Sequence, residues 1–302
     1  MSRIAPLLAA TILQTLSGTA MAAAPSPTPL VAHCTGRFDY ALPATFVSNG
    51  SQQSLYLIDA SFEPWLAGQG AAEAWKTRLA KASAPARAST DQATPAREFE
   101  LRAIGPAAWM SPYPDRPDLV TLLAMRPIAL ANQSLFLSVE ASAGREPIAE
   151  KVVAEVAESW VPNAIQGFCT GAGAFVVEPS MNERANAGFD APGVSLSIQT
   201  ETVSAPDDGR SSGGDLPPGG KRLLDKRREV GGLKGREERA RIPDDGKEDQ
   251  LIYTWIFAGR AAAGAMPRIR LEADAPASKL ASLDTAWEAL LSSWHLRPLG
   301  VK

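Results

Sequence analysis

The chain has 302 residues, with 30 Lys and Arg against 33 Asp and Glu and a formal net charge of −3. That slightly acidic balance excludes a protein that works by neutralising nucleic-acid phosphates with a basic surface. Hydrophobic residues make up 45% of the chain, which is enough for one large or two ordinary globular domains.

Residues 1–22 read as a secretory signal peptide. Arg3 supplies the charged start, Ile4 to Leu16 a mostly apolar stretch, and Ala20-Met21-Ala22 the small residues a signal peptidase recognises. Pro6, Thr11, Gln14 and Thr15 interrupt the stretch, and it falls short of the roughly 20 apolar residues that span a bilayer. No cysteine stands directly after the cleavage site to carry a lipid. The mature chain is expected free in the periplasm or secreted, with a net charge of about −4 once Arg3 is lost.

Leu55-Tyr56-Leu57, Glu98 to Ile104 and Leu135 to Val139 alternate apolar and polar residues, which predicts strands. Ala71 to Leu79 and Pro147 to Trp160 have helical spacing, and Pro162 and Asn163 mark a hinge. Beyond it, Val194, Leu196 and Ile198 predict a strand, Leu216 to Glu229 a helix, and Ser282 to Trp294 a closing helix with Ser282 as its N-cap.

The chain also resembles itself. His33-Cys34-Thr35-Gly36 answers Phe168-Cys169-Thr170-Gly171 at an offset of 135, and Val152 to Trp160 answers Ala286 to Trp294 at 134. Leu119 to Ala129 matches Leu251 to Ala261, and Leu135 to Ala141 matches Pro267 to Ala273, both at 132. Four blocks in one order predict an internal duplication. The expected fold is α+β, with an N-terminal domain over 30–162 and a similar C-terminal domain over 166–302, each an antiparallel sheet packed with one or two helices. Residues 205–250 form a charged loop within the second domain.

Chemistry-bearing groups are sparse. His33 and His295 stand outside any motif, and no nucleophile elbow, metalloprotease helix, phosphate loop or dinucleotide fingerprint occurs. Neighbours on a strand point to opposite faces, so His33 and Cys34 do not make a catalytic pair. The chain is read as a non-enzyme with no catalytic residues, no cofactor and no metal site. Cys34 and Cys169 are either two buried thiols or a disulfide. The disulfide follows if the last helix of the first half returns near its first strand.

Partner contact is the remaining reading. Trp65 in Glu63-Pro64-Trp65 and Trp109 in Gly105-Pro106-Ala107-Ala108-Trp109 sit in loop-like sequence, and aromatic anchors dominate many interfaces. Between Lys221 and Arg241 stand nine basic and four acidic residues. Lys221, Arg222, Lys226, Arg227 and Arg228 head that stretch, which is either a solvated helix face or an electrostatic contact for an acidic partner.

The order of these blocks resembles the periplasmic immunity proteins that neutralise phospholipase effectors of the type VI secretion system. Cys34-Thr35-Gly36-Arg37-Phe38-Asp39-Tyr40-Ala41-Leu42-Pro43 is similar to that family's opening. Phe168-Cys169, Pro179 to Glu183, Pro192 to Ile198 and Gly232 to Glu237, followed by a strand with Trp255, look like its C-terminal domain. The resemblance covers most of 33–298 and is firmer in the second half. Arg236 and Arg239 stand where the family more often has acidic and aromatic residues, and residues 80–97 match poorly. The resemblance implies a stoichiometric inhibitor that holds a lipase effector one to one and covers its active-site entrance or lid. The alternative is a periplasmic solute-binding or envelope scaffold protein.

Overall fold

The computed structural model describes residues 28–88, 97–101, 105–113, 116–128, 132–171, 173–180, 182–204, 216–244, 246–261 and 263–299. The expected signal peptide, residues 205–215 of the charged loop, and residues 102–104 of an expected strand lie outside the described residues.

The chain opens with a hairpin of β1 (Leu30–Thr35) and β2 (Phe38–Pro43), then β3 (Val47–Leu55), β4 (Ile58–Pro64) and α1 (Ala71–Ala88). There follow β5 (Arg97–Leu101), β6 (Gly105–Tyr113), β7 (Arg116–Ile128), β8 (Gln133–Ser142), α2 (Glu146–Ser159) and β9 (Trp160–Pro162). A second hairpin, β10 (Phe168–Cys169) and β11 (Gly173–Phe175), leads to β12 (Glu183–Ala191), β13 (Val194–Glu201), β14 (Lys221–Val230), β15 (Leu233–Ile242), β16 (Gln250–Phe257) and β17 (Arg268–Pro276). A 3-10 turn precedes α3 (Leu280–Ser293), and β18 (His295–Leu296) ends the described fold.

Twelve strands form one sheet in the order β14-β15-β16-β17-β13-β12-β3-β4-β8-β7-β6-β5, antiparallel throughout. The sheet therefore runs unbroken through the pair β3–β12, and each half contributes six strands. Alternation along the strands sends one set of side chains to each face. Leu122 and Ala124 of β7 pack with Val153, Val156 and Ala157 of α2, whereas Leu123 and Met125 pack on the other face with Trp75 and Leu79 of α1. In the second half α3 buries Leu283, Trp287, Leu290 and Leu291 against Tyr253, Trp255, Ile269 and Leu271.

The two opening hairpins cross between the halves. Phe38, Tyr40 and Leu42 of β2 belong to the α3 core, where Trp294 stacks on Phe38 and Tyr40 at 4.9 and 5.4 Å. β18 pairs with β2, His295 opposite Asp39. In return Phe168 and Phe175 of the second hairpin join Trp160 in the α2 core, and β11 pairs with β9. Each core is thus completed by the other half's hairpin. Pro162 lies inside β9, opposite Gly173, so the expected hinge is a paired strand end.

Several sequence expectations need correction. Leu216 to Glu229 is not helical: its larger part is β14, which hairpins onto β15 through Gly231-Gly232. Both glycines have positive φ, 56° and 80°, the backbone that a two-residue hairpin turn demands. Ser282 is not an N-cap, because α3 starts two residues earlier, at Leu280. Tyr56 and Leu57 form the turn between β3 and β4, with φ of 53° and 66°, rather than a strand.

Candidate partner-binding surface

The two halves are cross-linked where they meet. Cys34 on β1 and Cys169 on β10 form a disulfide with Cα atoms 5.9 Å apart, and the Cys169 amide donates to the Gly36 carbonyl at 2.5 Å. Gly36 has a φ of 58°, and a Cβ there would stand 2.9 Å from Thr200 Oγ1 and 3.2 Å from Ala185 Cβ, so the crossing needs glycine for both conformation and space. Beside it Arg37 donates from Nε and Nη2 to the two carboxylate oxygens of Glu183 at 2.8 and 2.6 Å. Both side chains are buried, and Glu183 also accepts from the Ser180 amide. Arg297 makes a parallel tie, donating to Asp39 and to the Ala164 carbonyl.

A cleft of about 580 Å³ opens beside this joint, lined by His33, Tyr40 and Phe189 among others. His33 packs edge-on against Phe189 at 4.9 Å, and burial holds its imidazole below the ordinary 6.5. His295 is exposed, with Nδ1 2.8 Å from the Ser293 carbonyl.

The structure does not gather the expected contact residues into one place. Trp65 follows β4, half-buried, and its indole donates to Ser134 Oγ at 2.8 Å. Trp109 is not in a loop: it lies within β6, opposite Glu98 and Leu123. The basic residues lie at the far end of the sheet, on β14.

Those basic residues belong to an ion network that sequence reading missed. Glu237 of β15 is fully buried and accepts from Arg239 Nε at 2.8 Å, Trp287 Nε1 at 3.0 Å and Arg228 Nη1 at 3.1 Å. Arg228 and Arg239 reach on to Glu288 of α3, and Arg239 also to Asp284. Burial pushes the Glu237 carboxyl up, but the hydrogen bonds from Arg239, Trp287 and Arg228 outweigh it and hold the group below the usual carboxylate range. Hydrogen bonding from Arg228 does the same to Glu288. Arg239 also lies 4.5 Å above the Tyr253 ring. The network fastens the terminal hairpin to α3. Its trace in the sequence is the alternation Arg236-Glu237-Glu238-Arg239, which a strand splits between two faces.

Of the five predicted basic contacts, Lys226 and Arg228 are thus engaged with Glu237, and Arg222 lies 3.7 Å from Asp225. Lys221 and Arg227 are exposed and, among the described residues, have no ion-pair partner. No group of side chains suited to hold a metal ion occurs among the described residues, and none of their helices is long and apolar enough to cross a membrane.

No family model matches the chain, and neither does any curated protein. Solved structures do. The chain is similar to the apo immunity protein TplEi of the type VI secretion system from Pseudomonas aeruginosa, with a TM-score of 0.72 and 18% identity over 89% of this chain and 97% of that one. It is similar to a chain of the Tle4–Tli4 complex, TM-score 0.69 and 17% identity over 89% and 98%. TplEi complexed with the "L" peptide matches with a TM-score of 0.65 and 18% identity over 90% and 100%. Across nearly its whole described length, the chain has the fold of these type VI secretion immunity proteins.

Proposed function

We propose that this chain is a periplasmic immunity protein that binds a phospholipase effector of the type VI secretion system one to one and inhibits it by covering its active-site entrance or lid. The observation that carries the reading is the end-to-end likeness to TplEi, 97% of which is covered. Two of the similar structures hold a bound partner, a protein in one and a peptide in the other, which supports a binding role rather than catalysis. Residues 1–22 are the export signal in this reading, and the oxidising periplasm suits the Cys34–Cys169 bond.

The two halves, 30–162 and 166–302, are in this reading duplicated domains. Their elements run in matching order outward from β3 and β12, each half ending in a helix, Ser-Trp and a short strand. With the hairpins exchanged and disulfide-linked, the lobes present one preformed surface instead of closing like jaws. Trp65 follows β4, Trp109 stands in β6 and the basic residues stand in β14, so in this reading a large effector would meet them as separate contacts.

The test is capture of a lipase by the mature chain, residues 23–302, followed by titration of its activity. Loss of activity at one equivalent establishes the inhibitor. Retention of no lipase by folded, monodisperse protein overturns it, and the cleft beside His33 then favours a solute-binding role, read out as saturable thermal stabilisation by a small ligand.

A further inference from the structure

The two ends of the long sheet differ. β5 has five residues and β14 has ten. β14 pairs with β15 alone, so its other edge is outermost in the sheet among the described residues, and seven of its ten residues are exposed. Such an edge presents backbone donors and acceptors to which an extended chain can add as a further strand.

Side chains decide which chain. β14 carries Lys221, Arg222, Lys226, Arg227 and Arg228 against Asp225 and Glu229. With five basic and two acidic residues the strand carries a net charge of +3, so a second copy offering the same strand is repelled as a whole, whereas an acidic strand is attracted. Lys221 and Arg227, exposed and without ion-pair partners among the described residues, are free to receive it. Leu223, at the irregularity between Arg222 and Leu224, is 46% exposed and adds an apolar contact at the same edge.

We propose that the outer edge of β14 takes up an extended acidic segment of a partner protein as an added strand. The inhibitor reading supplies only the partner's identity. The strand addition is tested without it, by hydrogen–deuterium exchange on the mature chain with a synthetic ten-residue peptide of alternating Glu and Val. Its Lys-for-Glu counterpart is the control.

The acidic peptide should slow exchange across 221–230 about tenfold, and rising salt should weaken the effect. The Lys peptide should not slow exchange there. The double variant K221E/R227E should lose the response to the acidic peptide and gain one to the Lys peptide. No protection of 221–230 at millimolar acidic peptide, or equal protection by both peptides, overturns the proposal. So does a captured lipase that leaves 221–230 unprotected, although the inhibitor reading then stands. If no lipase is captured, the inhibitor reading fails and the peptide result alone decides the edge.

Discussion

Where β3 meets β12 the two halves are joined by everything a fold can use to resist separation. There are ladder hydrogen bonds, exchanged hairpins, a disulfide, and an Arg37–Glu183 pair whose side chains are 1% and 4% exposed. At the β14–β15 end charges fasten the sheet to α3, and only the carboxylate at the hub, Glu237, is buried; Glu288, which shares Arg228 with it, is half exposed. The difference divides the work. Removing a buried contact should cost stability, most at the centre, and altering an exposed terminal charge should change what the protein binds.

The largest effect is expected from Arg37→Met. It leaves Glu183 buried without its partner, and breaking a buried pair costs about 3–5 kcal/mol. Denaturant unfolding would measure it. A loss under about 1 kcal/mol would mean that the halves are not locked through this pair. Next comes the double change C34S/C169S, expected to cost about 2–4 kcal/mol because the bond closes a long loop of the unfolded chain. Thiol labelling of the unreduced, denatured protein is its companion measurement, and uptake of two labels would show that the bond does not form.

These two effects bear on the part of the fold that was readable in sequence. The repeated Cys-Thr-Gly block brought Cys34 and Cys169 into one argument, and the helices ending in Ser159-Trp160 and Ser293-Trp294 are where periodicity puts them. Register was not readable. A uniform offset of 132 matches Leu123 with Trp255, yet Leu123 faces α1 and Trp255 lies in the α3 core. The offset between blocks drifts, and an odd slip turns every side chain to the other face.

The terminal hairpin hides its strands from periodicity for a different reason. The irregularity between Arg222 and Leu224 sets Leu223 and Leu224 side by side, so the two-residue period is broken and the run of charges looks like a solvated helix. Gly231-Gly232 between two charged runs was the hairpin signal. Gly105 and Pro106 before Trp109 suggest a loop, but those residues only begin β6. The Glu237 network joins residues from β14, β15 and α3, and no local pattern announces contacts so far apart in the chain.

Glu237→Gln sharpens the comparison from the charged end, with an expected cost of about 2 kcal/mol, since charged hydrogen bonds contribute more than neutral ones. The pH dependence carries a matching sign. Glu237 and Glu288 titrate below the usual range in the fold, so their stabilisation is present above the unfolded carboxylate value of about 4.3 and is lost as pH falls through their folded values. His33, held below 6.5 by burial, also makes stability fall as pH drops below about 6.5, because the unfolded chain takes the proton first. Asp274, raised by burial and then by Glu272 and Asp190, acts in the opposite direction. Thermal midpoints should therefore be flat near neutrality, decline gently below about pH 6.5 and steeply below about 4.3. In the Gln variant the steep limb should be shallower; an unchanged limb would remove Glu237 from the account.

The smallest stability effect is expected from K221E/R227E, within about 0.5 kcal/mol, because exposed side chains without ion-pair partners add little to the fold. That is why the pair isolates recognition from folding. Among the described residues these two charges have no ion-pair partner that reversal would break, and they stand on an end strand of the sheet, away from the central joint. If they steer a partner, the double reversal should slow association with the captured lipase about tenfold at low salt, with the difference shrinking as salt rises past the Debye screening range. A change in dissociation instead, insensitive to salt, would place Lys221 and Arg227 in a desolvated contact. Identical kinetics would assign the whole interface to the rest of the surface and leave the β14 charges with the single task of keeping a long sheet edge from pairing with its own kind.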